Sequence, residues 1–180
     1  MHNAANARKT ESPAGPPCNI IIAGLGGQGV ITAADIIADV ALRAGFDVKK
    51  SEIKGMSQRG GSVACDVRFG AQVLSPMVPL GEADFLLVLE PTQIEPNRHL
   101  LRPHGVTIEP SMVDASQLAN KKSLNVALLG ALSARLAMRE QLWLNAVTAA
   151  FAPKFSEANR QAFLLGRASQ NQSLHATVTA

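Results

Sequence analysis

Residues 18–23, Cys-Asn-Ile-Ile-Ile-Ala, form a short apolar run rich in β-branched side chains that stops at a glycine. A run apolar on both parities predicts a strand covered on both faces, as in a largely parallel sheet. After Gly24-Leu25-Gly26-Gly27-Gln28-Gly29 the period changes. Val30, Ala34, Ile37 and Ala41 recur at helical spacing opposite Asp35, Asp39 and Arg43, predicting an amphipathic helix over 30–44. Gly45 follows where a helix-stop glycine belongs.

The next elements are read in the same way. Residues 46–53 predict a second strand and 62–69 a third, which Gly70-Ala71 turns into a hairpin partner beginning at Gln72. Residues 84–89 predict another core strand, ending at Glu90-Pro91 where a helix starts, and 105–108 a further one. Beyond Asn125, the expected N-cap, Leu128, Leu132 and Leu136 mark a helix. Two more helices fall at 141–150 and 156–167, separated by Pro153. The order implies an α/β fold: a three-layer α/β/α sandwich with a Rossmann-like, mostly parallel sheet and an inserted hairpin. The expected division is a disordered tail over 1–17, one domain over 18–168, and a flexible tail over 169–180.

Composition narrows the function. A chain of 180 residues, 47% hydrophobic and 17% charged, supports one domain with a sizeable core. An aromatic content of 4% argues against stacking platforms for single-stranded nucleic acid. The net charge of +3 comes from Lys and Arg scattered between Arg8 and Arg167, a solvated surface rather than a nucleic-acid footprint. The two cysteines, Cys18 and Cys65, read as buried hydrophobes of a cytoplasmic protein. With no CxxC run and four dispersed histidines, the chain is expected to hold no iron–sulfur cluster and no metal by itself. No apolar run reaches membrane-span length, and residues 1–17 lack the apolar core of a signal peptide.

Two loops carry the candidate chemistry. Gly24, Gly26 and Gly29 satisfy GxGxxG between a strand and a helix, where glycines admit a tight turn and the helix N-terminus attracts an anion. The same glycines also suit plain close packing of helix on strand. A nicotinamide or flavin site further needs an acid at the end of the second strand. Asp47 comes early for that role and Glu52 late. The second loop, Ser51 to Ser62, offers hydroxyls, a carboxylate, an amide and the Arg59 guanidinium between glycines, and a guanidinium suits carboxylate or phosphate. Following a strand, this loop belongs at the same sheet edge as the glycine turn, as does Glu90. Glu52 equally suits a structural ion pair with Lys54 or Arg59. No residue forms a nucleophile or an acid–base pair, so no catalytic residue is assigned.

Gly24-Leu25-Gly26-Gly27-Gln28-Gly29 together with Glu52-x-x-Gly55-Met56-Ser57-Gln58-Arg59-Gly60-Gly61-Ser62 resembles the gamma subunit or domain of the pyruvate (2-oxoacid):ferredoxin oxidoreductase superfamily. The small beta subunit of indolepyruvate:ferredoxin oxidoreductase is the most similar member type. The resemblance runs on through Ser75-Pro76, Gly81-Glu82-Ala83-Asp84, Glu90-Pro91 and Asn125-Val126-Ala127-Leu128-Leu129-Gly130.

It implies a non-catalytic small subunit of a complex that oxidatively decarboxylates a 2-oxoacid, of the indolepyruvate or arylpyruvate class, to an acyl-CoA. Thiamine diphosphate, Mg and iron–sulfur clusters would belong to a large partner subunit, with ferredoxin as acceptor. Coenzyme A would be the cosubstrate whose side of the site this chain helps form. Gly24, Gly26, Gly27, Gln28 and Gly29 would be a backbone cradle facing the partner or the coenzyme. Glu52, Met56, Ser57, Gln58, Arg59, Gly60, Gly61 and Ser62, with Glu90, would complete its polar lip. The alternatives are an independent NAD(P)-binding Rossmann-type oxidoreductase and a stand-alone nucleotide-binding module.

Overall fold

The computed structural model describes residues 15–54 and 60–178. Its sheet has five strands: β1 (Cys18–Leu25), β2 (Asp47–Lys54), β3 (Ser62–Gly70), β4 (Ala83–Val88) and β5 (Leu101–Ile108), in the order β2-β3-β1-β4-β5. β4 lies parallel to β1 and β5 to β4, whereas β3 pairs antiparallel with both β1 and β2. Four strands therefore share one direction, with β3 reversed between β1 and β2.

β1 shows why its sequence is apolar on both parities. Ile20 and Ile22 enter one core, which takes in the helices α1 (Val30–Arg43), α3 (Leu124–Ser133) and α4 (Glu140–Ala150), with Ala162 and Phe163 of α5 (Ser156–Val178). Ile21 and Ala23 enter the other, thinner core with Val78, Leu86 and Val88, covered by Ile94 of the short helix α2 (Ile94–Asn97) and by Leu100. Each isoleucine so buried contributes about 1.5–3 kcal/mol, ample reason for the strand to occupy the middle of the sheet.

The structure corrects three expectations from sequence. No strand begins at Gln72. Residues 71–82 instead form an irregular segment held by distant polar side chains. Asp47 accepts from the Val73 N–H (2.8 Å), Asp66 from the Val78 N–H (2.9 Å), and Arg68 donates to the carbonyls of Ser75 and Met77. β5 starts four residues before 105, with a register shift opposite β4 and His104 at φ 67°. The helix expected at Glu90-Pro91 does begin there, as a 3-10 turn (Pro91–Gln93) with Glu90 at its N-cap that leads into α2 and a second 3-10 turn. Asn125 is not the cap of α3, because Ser123 holds that position and Asn125 sits inside the first turn. In addition, α5 continues to Val178, past the point where the apolar period fades.

The long helices pack through glycine. Gly130 of α3 and Gly166 of α5 lie at the crossing, where an added Cβ would strike the backbone of the opposite helix: Phe163 in one case, Ala127 in the other. This close approach fixes α3, and with it the residues that α3 carries to the sheet edge.

Candidate functional site

β1 ends at Leu25, and the chain reverses into α1 through Gly26, Gly27, Gln28 and Gly29. Gly27 (φ 92°) and Gly29 (φ 88°) adopt left-handed backbone that a side chain would strain. Gly24 is required for a different reason. A Cβ there would stand 2.8 Å from Val30 Cγ2 and 3.2 Å from Leu89 Cβ. Gly24 thus serves packing, while Gly27 and Gly29 serve the turn.

Gln28 locks the turn. Its Oε1 accepts from the Leu25 N–H (2.8 Å) while its Nε2 donates to Glu90 Oε2 (3.0 Å). Glu90 follows β4 in the sheet and so joins the turn, as its place at the strand end implied. The second loop joins too, because the Gly26 N–H donates to the Gly61 carbonyl (3.0 Å) and Ser62 Oγ donates to Gln93 Oε1 (2.7 Å). The structure thereby brings Gly24, Gly26, Gly27, Gln28, Gly29, Gly60, Gly61, Ser62 and Glu90 to one edge. Met56, Ser57, Gln58 and Arg59, with Gly55, lie outside the described residues. Glu52 is placed one strand further out. It accepts from Lys50 Nζ (2.9 Å), which also binds Asp35.

The strand order bears directly on the dinucleotide reading. In that site the ribose-binding acid ends the strand next to β1. Here the neighbour on that side is the reversed β3, which brings Ser62 and Val63 opposite Leu25 and Gly24. Glu52 is displaced to β2, and Asp47 begins β2 opposite Gly70, at the far edge, where it anchors residues 71–82. Neither acid stands where a ribose would need it.

Sequence reasoning missed the far wall of the site. No side chain caps α1 or α3 by a hydrogen bond, and their N-termini converge on a cavity of about 370 Å³ lined by Gly27, Gln28, Leu89, Lys121, Lys122, Leu124 and Asn125. Asn125 abuts Gly29, filling the space a Cβ there would take. Two exposed lysines stand beside the N-termini of α1 and α3 at this cavity, an arrangement that favours an anion. Lys121-Lys122 stands in a short 3-10 turn just before α3, with no periodic signal, although two lysines preceding a helix start were a readable hint. A second cavity of about 330 Å³ lies on the β3 side of the turn, against Gly26, Ile31, Thr32 and Val63.

Burial pushes the Cys18 thiol up to about 12 and the Cys65 thiol up to about 11, so both are protonated at neutral pH. Among the described residues no group of three His, Cys, Asp or Glu side chains is placed to hold a metal ion, and no helix is long and apolar enough to cross a membrane.

Comparison with known proteins places this architecture. The model of the family described as pyruvate ferredoxin/flavodoxin oxidoreductase matches residues 19–169. The chain is 35% identical to indolepyruvate oxidoreductase subunit IorB of Thermococcus kodakarensis, over 82% of this chain and 93% of that protein. It superposes with a TM-score of 0.77, at 21% identity and over 88% of its length, on 2-oxoglutarate:ferredoxin oxidoreductase from Magnetococcus marinus, a structure with 2-oxoglutarate, coenzyme A and succinyl-CoA bound. It spans only 32% of that longer chain. It covers 99% of a keto/oxoacid ferredoxin oxidoreductase gamma subunit from Geobacter sulfurreducens, with a TM-score of 0.67 and 23% identity. From strand order to glycine turn, the chain belongs to the pyruvate ferredoxin/flavodoxin oxidoreductase family.

Proposed function

We propose that this chain is the small subunit of a 2-oxoacid:ferredoxin oxidoreductase of the indolepyruvate class, shaping the coenzyme A side of a site completed by a larger partner. The observation that carries this reading is the 35% identity across 93% of an indolepyruvate oxidoreductase subunit. The geometry supports it, because the glycine turn opens beside Lys121 and Lys122 while no acid stands in the ribose position of a dinucleotide site. With two cysteines on separate strands, both protonated at neutral pH, the chain is a poor host for clusters. Iron–sulfur clusters, thiamine diphosphate and Mg therefore belong to the partner in this reading, where they would supply the carbanion and electron-transfer chemistry.

This chain's own residues bind and position. The backbone of Gly27 and Gly29 and the α1 N-terminus receive phosphate oxygens, Lys121 and Lys122 neutralise their charge, and Gln28, Glu90 and the Gly26–Gly61 hydrogen bond hold the turn in shape. In this reading Ser57, Gln58 and Arg59, which lie outside the described residues, contribute a polar lip that contacts the partner subunit. The test is Arg59→Ala and Lys122→Ala in the purified complex. A rise in KM for coenzyme A, or dissociation of the subunits, is expected, and wild-type kinetics with intact assembly in both variants would refute these roles.

A further inference from the structure

A further cavity adjoins the glycine-turn cavity through Lys122, and its chemistry differs from that of its neighbour. It measures about 340 Å³ and is lined by Asn120, Lys122, Ser123, Phe151, Phe155 and Asn159. Lys122 lines this cavity and the glycine-turn cavity alike, so one cation stands between them. The aromatic lining is Phe151, partly buried at the end of α4, and Phe155, which is 41% exposed. Lys154 Nζ lies 5.0 Å from the Phe155 ring centroid, over one face of the ring.

The lining also includes buried polar groups. Asn159 is 4% exposed and its Oδ1 accepts from the equally buried Ser123 Oγ (2.7 Å). Asn159 lines the cavity, and its amide nitrogen, which is not sealed in the protein interior, has no protein partner among the described residues and is open to a ligand. An open donor beside aromatic rings, with a lysine at the rim, suits a flat heteroaromatic ring bearing an anionic group.

Resting on the coenzyme A reading above, we propose that the Phe151–Phe155–Asn159 cavity is the subsite for the nucleotide base of the coenzyme. The base packs against Phe155 and takes a hydrogen bond from the Asn159 amide. The phosphates pass Lys122 toward the glycine turn. Phe151, Phe155 and Asn159 are then the specificity-determining residues for the nucleotide half of the ligand, while the turn and lysines recognise its charge.

The experiment titrates the purified complex by calorimetry with intact coenzyme A, with adenosine bisphosphate as its nucleotide half, and with phosphopantetheine as its other half. Stacking on one aromatic ring strengthens base binding about tenfold or more. Phe155→Ala is therefore expected to weaken adenosine bisphosphate at least tenfold and to leave phosphopantetheine within twofold. Phe155→Tyr, which keeps the ring, should retain wild-type affinity and rules out a folding defect at this site. Unchanged adenosine bisphosphate affinity in Phe155→Ala overturns the subsite. If Lys122→Ala still weakens coenzyme A in that case, the coenzyme reading survives and only the aromatic subsite falls. If coenzyme A does not bind at all while adenosine bisphosphate binds in a Phe155-dependent way, the subsite stands as a nucleotide site and the coenzyme reading falls.

Discussion

Replacing Gly166 with Ala tests how the two long helices fix the site. Gly166 sits where α5 crosses α3, and a methyl group placed there falls within the backbone of Ala127. Gly130 makes the reciprocal contact, its added Cβ meeting the Phe163 carbonyl and standing 2.9 Å from Arg167 N. Every obstacle is backbone, so no rotamer change clears it and the helices have to separate. Two effects compete. Gly→Ala inside an unobstructed helix stabilises by about 1 kcal/mol through propensity. Overpacking a tight core costs about 1–3 kcal/mol, and rigid backbone obstacles place this site at the upper end or beyond. Separation also loosens Val126, Ala127 and Leu128, each fully buried. The clash wins, for a net loss of about 2 kcal/mol, which lowers Tm by about 4–8 °C in a chain of this size. Thermal and urea unfolding of the complex and of the isolated chain measure it. The Gly130→Ala/Gly166→Ala double variant should lose less than the sum of the singles, because the first separation makes room for the second methyl. A Gly166→Ala protein as stable as wild type, or a strictly additive double variant, would refute backbone contact at this crossing.

Three further outcomes follow from the geometry. Gln28→Leu removes the side-chain acceptor of the Leu25 N–H and the partner of Glu90, costing about 1–3 kcal/mol, whereas Glu90→Gln keeps an acceptor and should change stability by less than about 0.5 kcal/mol in urea unfolding. Burial raises the Asp66 pKa above its usual 3.8, so the stability this group contributes is full below the unfolded carboxylate range and is lost as pH rises through the folded pKa. Asp66→Asn keeps an acceptor for the Val78 N–H and should raise Tm at pH 7, with the gain shrinking as pH falls through that pKa. Cys18 and Cys65, with thiols near 12 and 11, should resist alkylation at neutral pH until the chain is denatured, as mass spectrometry would show.

Much of this fold is legible in the sequence where burial is two-sided or periodic. β1 and α1 follow directly from Ile20-Ile21-Ile22 and from the stripe Val30, Ala34, Ile37, Ala41. Strand order is not legible in that way. Alternation marks 46–53 and 62–69 as strands, yet the insertion of β3 beside β1 depends on pairing that local pattern does not encode. The stretch after Gly70 read as a hairpin partner because Gly70-Ala71 suits a turn, but Pro76 and Pro79 cannot join a ladder, and the anchors Asp47, Asp66 and Arg68 that hold it are set by the fold. Asn125 was misread as a cap because its side chain suits one, while Ser123, two residues earlier, takes the position. Of the site, the glycine turn and Glu90 were readable from motif and strand end. Lys121, Lys122 and the Phe151–Phe155 cavity were not, since residues far apart in sequence line these cavities and only the tertiary fold brings them together.

The most direct test of the account is reconstitution. Purification of this chain from its native host, followed by mass spectrometry, cofactor analysis and an assay of coenzyme A-dependent indolepyruvate oxidation, should recover a large thiamine- and iron–sulfur-containing partner whose activity requires this chain. Recovery of the chain alone, binding NAD or another nucleotide tightly and with no such partner, would contradict it.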